Sequence, residues 1–168
     1  MRIAVVLFTR DLRVHDHPAL AAACKEADKV VPLFVFDDDI WTSDYARPNR
    51  TAFLLESLSD LAASLTERGA GLVVRRGELV EETLGAASDA HAEGIFLSAD
   101  ASAFATRRWV RLKRACEGTG IHLRSFPGTS GVSPGDVTPS NGDHFRVFTP
   151  YYRRWKEAPR RALSTVPG

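Results

Sequence analysis

Sulfur is scarce in this chain of 168 residues, which holds one methionine and two cysteines, Cys24 and Cys116. Two thiols without a Cys or His neighbour at ligand spacing exclude a disulfide scaffold and argue against a zinc site. Both sit on apolar helical positions, so both are expected as buried free thiols in a reducing compartment. No apolar run approaches the roughly 20 residues that span a bilayer. Met1-Arg2-Ile3-Ala4 enters a strand directly, without the pattern of a secretory leader. These two absences set the expectation of a cytoplasmic protein with no membrane partner. An excess of one charge is missing too: 22 Lys and Arg face 21 Asp and Glu, so net charge names no partner.

The familiar catalytic signatures are also absent. There is no GxxxxGK[ST] phosphate loop, no GxSxG elbow and no HExxH helix. Gly69 and Gly71 follow a helix, the wrong context for a dinucleotide fingerprint. The five His have no evident Ser or Cys partner. His15-Asp16-His17 suggests metal ligands, but the two His diverge across a helix start and read better as a capping turn. No catalytic residue and no metal site are assigned.

What is present is alternation. Apolar strand runs occur at Ile3–Phe8, Lys29–Phe36, Gly71–Arg75, Ile95–Ser98 and Ile121–Phe126. Helical patterns separate them at Asp16–Ala27, from Asn49 to the stop at Gly69, at Glu78–Ala92 and at Ala103–Glu117. The long second helix shows Leu54, Leu58, Leu61 and Leu65 on one face. Strands alternating with helices imply parallel βαβ units with right-handed crossovers. The fold class is therefore α/β, a Rossmann-like doubly wound five-stranded parallel sheet flanked by helices, with an irregular C-terminal segment. We divide the chain into an α/β domain over 1–130, a connecting segment over 131–157 and a linker or tail over 158–168. Pro127-Gly128, Ser133-Pro134-Gly135 and Pro139 to Gly142 punctuate the connection. His144–Phe148 is expected as a short strand and Tyr151–Glu157 as a final helix.

In such sheets ligands bind over the carboxyl ends of the strands. Asp37, first of the Asp37-Asp38-Asp39 run, ends the second strand there and offers an acceptor; a solvated strand end or a hard-metal site are the other readings of that run. Arg50 opens the second long helix, where the positive helix end disfavours a cation, so its placement suggests a ligand clamp. Asp100 follows the fourth strand. Phe34 and Phe36 supply apolar surface nearby. Phe34, Phe36, Asp37, Arg50 and Asp100 are thus the candidate cofactor-binding residues, suited to a planar ligand. Arg146, Arg153, Arg154, Lys156, Arg160 and Arg161 interleave with Phe148, Tyr151, Tyr152 and Trp155. That pattern reads either as a base-stacking surface or, preferably, as a docking surface.

Phe8-Thr9-Arg10-Asp11-Leu12-Arg13-Val14-His15-Asp16-His17-Pro18-Ala19-Leu20 resembles the opening signature of the DNA photolyase/cryptochrome family. Leu7 stands where that signature has Trp, and His17 where it has Asn. Val31 to Asp37, Arg50 to Leu58, Val73 to Gly77, and Phe145 to Tyr151 with Trp155 resemble further family segments in the same order. The resemblance implies the antenna-chromophore domain of a light-driven carbon–carbon lyase, deoxyribodipyrimidine photo-lyase. In that family a separate helical domain, absent from these 168 residues, binds FAD and DNA and repairs pyrimidine dimers. This chain alone is therefore not expected to be catalytic or to bind DNA strongly. Asp37, Arg50 and Asp100 match the positions used by deazaflavin-binding members. Ser102 stands where folate-binding members carry Glu. The resemblance thus implies 8-hydroxy-5-deazariboflavin as antenna, ahead of FMN or folate. The competing reading is a stand-alone nucleotide-binding or regulatory module, weakened by the lack of a Gly-rich phosphate cradle.

Overall fold

A computed structural model describes residues 1–128, 130–133 and 135–165. Pro134 of the expected Ser133–Gly135 turn and the last three positions of the expected tail, 166–168, lie outside the described residues. The elements run β1 (Ile3–Phe8), α1 (Pro18–Glu26), β2 (Lys29–Asp37), α2 (Asp38–Trp41), α3 (Pro48–Thr66) and β3 (Val73–Gly77). Then come α4 (Leu79–Asp89), β4 (Gly94–Ser98), α5 (Ala103–Cys116), β5 (His122–Phe126) and α6 (Phe148–Glu157). The five strands form one parallel sheet in the order β3-β2-β1-β4-β5, the doubly wound α/β arrangement. The order reverses between β1 and β4, so a crevice opens there beyond the strand ends.

Strand periodicity divides the core in two. Ala4, Val6 and Phe8 of β1 pack with α1 and with Leu58, Leu61 and Leu65 of α3. Val5 and Leu7 face the other way, onto Leu79, Val80, Ala86 and Ala87 of α4 and Leu112 and Cys116 of α5. Both faces of β1 are covered, which is why its sequence is continuously apolar.

Several boundaries differ from the sequence expectations. Asp16 does not cap α1; it takes a left-handed φ of 46°, and His17 is the N-cap, its side chain accepting from the Leu20 N–H. Pro18, which needs no N–H partner at a first helical position, starts the helix one residue after that cap. For the same reason α3 begins at Pro48 behind Arg47, without a side-chain cap. Asn49 falls inside the first turn, where its Oδ1 accepts from the Arg50 N–H at 3.0 Å. The helix expected over Glu78–Ala92 ends earlier: α4 stops at Asp89 and the chain reverses through His91 at φ 52°. Cys116 is buried but Cys24 is exposed, because Ala19, Leu20 and Ala23 fill the centre of the buried stripe of α1 and Cys24 falls at its edge. The expected strand over His144–Phe148 is not formed, since no neighbouring strand offers it a ladder; Phe148 instead begins α6.

The C-terminal stretch is tied back to the first loop. Arg161 grips both carboxylate oxygens of Asp16, at 2.6 and 2.5 Å, and the Ser164 N–H adds a third bond at 3.0 Å. The Arg161 N–H also donates to the Gly131 carbonyl at 3.1 Å. Arg13 buttresses the unusual Asp16 backbone by donating to the His15 and Asp16 carbonyls, at 3.0 and 2.8 Å.

Candidate functional site

The loop from Thr9 to His17 is fixed by one buried carboxylate. Asp11 is 3% exposed. It accepts a short hydrogen bond from the Ser98 hydroxyl at the end of β4. His17, fully buried, places Nε2 3.2 Å from the same carboxylate. Because His17 Nδ1 accepts from the Leu20 N–H at 3.0 Å, the proton of a neutral ring is assigned to Nε2, facing Asp11. Burial alone would raise the Asp11 carboxyl, but His17 and Ser98 outweigh it and hold it below the ordinary range. Aspartate sits between Ser and His here. The histidine therefore cannot take the serine proton, and the trio locks β1 to β4 without making a nucleophile.

Above this lock lies a cleft of about 890 Å³. Its floor is the ends of β1, β2 and β4, with Phe34, Leu97 and Ser98. One wall is α5, with Phe104, Trp109 and Leu112. The other is the start of α2 and the loop behind it, with Ile40 and Tyr45. The volume falls in the usual range for small-molecule sites, roughly 300–1,000 Å³.

Two ion pairs interrupt the apolar lining. Asp37, the last residue of β2, caps α2: its Oδ1 accepts from the Asp39 N–H at 3.1 Å. Its Oδ2 accepts from Arg108 Nη1 at 3.2 Å. The side chains are 4% and 13% exposed, so this pair is buried. Burial pushes the Asp37 carboxyl up and the Arg108 guanidinium down from their ordinary values. The guanidinium stays charged throughout the physiological range because its ordinary value is so high. Arg108 also lies over the Phe104 ring, 5.0 Å from its centroid. Across the cleft, Asp100 accepts from Arg10 Nη1 at 2.8 Å and from the Ser102 N–H at 2.7 Å. Burial would raise Asp100, yet these bonds bring it below its ordinary value. Ser102 in turn caps α5, accepting from the Ala105 N–H.

The cleft brings together Phe34, Asp37 and Asp100. Phe36 and Arg50 stand outside its lining. Phe36 packs edge-on between Phe34 and Trp41, at 5.2 and 5.4 Å between ring centroids. Arg50 is exposed, with its guanidinium 5.2 Å over the ring of Tyr45, itself a cleft residue. The solvated reading of the Asp37–Asp39 run is corrected at its first member: Asp37 is buried as a helix cap, while Asp38 pairs outward with Arg76 at 3.0 Å. Among the described residues, no three His, Cys, Asp or Glu side chains are grouped as metal ligands. Arg10, Tyr45, Phe104, Arg108 and Trp109 line the cleft without having been among the candidates, and Arg108 is the buried charge among them. Arg107, Arg111, Lys113 and Arg114 surround Arg108 in sequence, so charge alone does not single it out. Its spacing of four from both Phe104 and Leu112 places it on the buried face of α5 and was the available signal.

The sequence model of the DNA photolyase family matches residues 4–167. The chain belongs to that family. It is 44% identical to the deoxyribodipyrimidine photo-lyase of Streptomyces griseus and 34% identical to the cryptochrome DASH of Natronomonas pharaonis. Each alignment covers 99% of this chain and 37% of the relative. The chain therefore spans little more than a third of these photolyase and cryptochrome relatives, and it corresponds to their N-terminal α/β domain. Among solved structures, a Synechocystis cryptochrome superposes with a TM-score of 0.88 at 23% identity, over 99% of this chain and 36% of its own. The photolyase of Sulfolobus tokodaii superposes with 0.78 at 26% identity, covering 99% and 37%; that structure contains two FAD molecules, with the implication of a novel light-harvesting cofactor. No described helix of this photolyase-family domain is long and apolar enough to cross a membrane.

Proposed function

We propose that this domain is a light-harvesting module that holds a planar antenna chromophore in the cleft between β2, β4 and α5. The observation that carries the reading is the cleft itself: about 890 Å³ of mainly apolar space at the sheet's switch point, with aromatic walls and a few fixed polar groups. An antenna needs a rigid, dry slot and no acid, base or nucleophile. The Asp11–His17–Ser98 lock supplies rigidity and has the wrong order for acyl chemistry. The chromophore, when bound, would absorb light and pass excitation to a flavin. Phe34, Tyr45, Phe104 and Trp109 would enclose its rings, and Asp37 and Asp100 with their arginines would orient its edge. We favour 8-hydroxy-5-deazariboflavin, with FMN or folate as weaker candidates. FAD binding and light-driven repair of pyrimidine dimers in DNA belong to the helical domain of a full-length photolyase.

A spectroscopic titration of the purified chain with 8-hydroxy-5-deazariboflavin tests this, with FMN, folate and ATP in parallel. Saturable deazaflavin binding that weakens in Asp100→Ala is expected. Saturable binding of ATP in its place would favour the nucleotide module instead.

A further inference from the structure

The two carboxylates nearest the cleft's ion pairs are already engaged, while one of the guanidinium groups keeps donors to spare. Both oxygens of Asp37 and both of Asp100 already accept a hydrogen bond from Asp39, Arg108, Ser102 or Arg10. Arg108 is different. A guanidinium carries five N–H groups in a planar fork. Among the described residues Arg108 spends one nitrogen, Nη1, on Asp37. Nε and Nη2 make no hydrogen bond, yet neither is a sealed, unpartnered atom of the kind found at Arg161 Nε. They therefore retain some accessible surface, on a residue that lines the cleft. Phe104 on its face and Asp37 at its end hold the fork in one orientation. Donors fixed in a mainly apolar slot leave a binding preference unexpressed until an acceptor arrives.

We propose that Arg108 is the ligand-reading residue of this cleft, donating to a ring carbonyl oxygen on the pyrimidinedione edge that flavins and 5-deazaflavins share, with Asp37 as the positioning residue that aims it. This rests on the antenna reading and makes it more specific: the cleft reads an acceptor on the ligand through Arg108. Lysine would keep the charge but lose the fork. Asp37→Asn would keep an oxygen for Arg108, whereas Asp37→Ala would release it.

The test titrates the full chain and its variants with 8-hydroxy-5-deazariboflavin and, separately, FMN. It then records infrared difference spectra with the ring carbonyls isotopically labelled, at ligand concentrations that saturate each variant. Arg108→Ala is expected to weaken binding about tenfold or more. Arg108→Lys should recover part of that loss, and Asp37→Asn should bind more tightly than Asp37→Ala. A labelled carbonyl stretch should be shifted down in the wild-type complex and return in Arg108→Ala, a change that mere loosening of the cleft would not produce. A carbonyl band at the same position in both complexes, or unchanged affinity in Arg108→Ala, overturns the assignment alone. Absence of saturable flavin or deazaflavin binding by the wild-type chain overturns the antenna reading and the assignment with it.

Discussion

His17 does two jobs with one ring. Nδ1 caps α1 and Nε2 faces the buried Asp11 carboxylate. His17→Ala removes both partners and leaves Asp11 with less compensation inside the core. Chemical denaturation should show a loss of about 2–4 kcal/mol. His17→Asn keeps an oxygen for the cap and should cost less. A loss as large in Asn as in Ala would mean that ring packing against Phe8, 4.8 Å between centroids, dominates instead. Asp11 adds an acid dependence of defined sign. Its folded value lies below its unfolded one, so its stabilisation is present above the ordinary carboxylate value of 3.8 and fades as pH falls below it.

At the level of elements, α3 shows how few contacts can hold a long helix. Of its 19 residues, Leu58, Leu61 and Leu65 are the buried ones. Its first turns are largely exposed, with Phe53 at 73%. Leu61→Ala should lower stability by about 2–5 kcal/mol in an unfolding titration, while Phe53→Ala should change it little. The leucine stripe was legible in the sequence because helical spacing and core burial select the same positions. β1, β2 and β4 were legible because burial leaves them apolar runs, whereas the edge strands β3 and β5 are largely exposed and were marked by their place in the alternation. The short α2 was not, since a four-residue helix has no periodicity to read. The strand expected over His144–Phe148 misled because a turn signal before an apolar stretch says nothing of whether a partner strand is available. Asp37 and Asp100 could be placed at the site from topology alone. Arg108 could not be told from its neighbours by charge, only by the face it shares with Phe104 and Leu112.

For the whole molecule, the Asp16–Arg161 clamp closes a loop of nearly the full chain. The two arginine bonds and the Ser164 N–H hold the Asp16 carboxyl far below its ordinary value of 3.8. A carboxylate lowered on folding stabilises the closed form above its unfolded value and loses that contribution as pH falls through the folded one. The clamp should thus be complete above about pH 5 and weaken progressively in stronger acid. Hydrogen exchange should show residues 158–165 opening under those conditions while the sheet stays protected. Asp16→Asn should show the same opening at neutral pH. If exchange in that segment is already fast in the wild type at pH 7, the clamp is not a stable contact in solution.

The strand order also has a temporal side. β1, synthesised before the other four strands, ends up in the middle of the sheet, with Val5 beside Val31 on one edge and Ile95 on the other. The first neighbour follows almost at once. The second comes roughly 60 residues later still, which at 5–20 residues per second is several seconds of synthesis. Through that interval the nascent chain exposes an open, strongly apolar strand edge, the kind of edge that recruits other chains. Synonymous changes that slow translation between β2 and β4 should therefore lower the soluble yield of a protein whose finished form is unaltered.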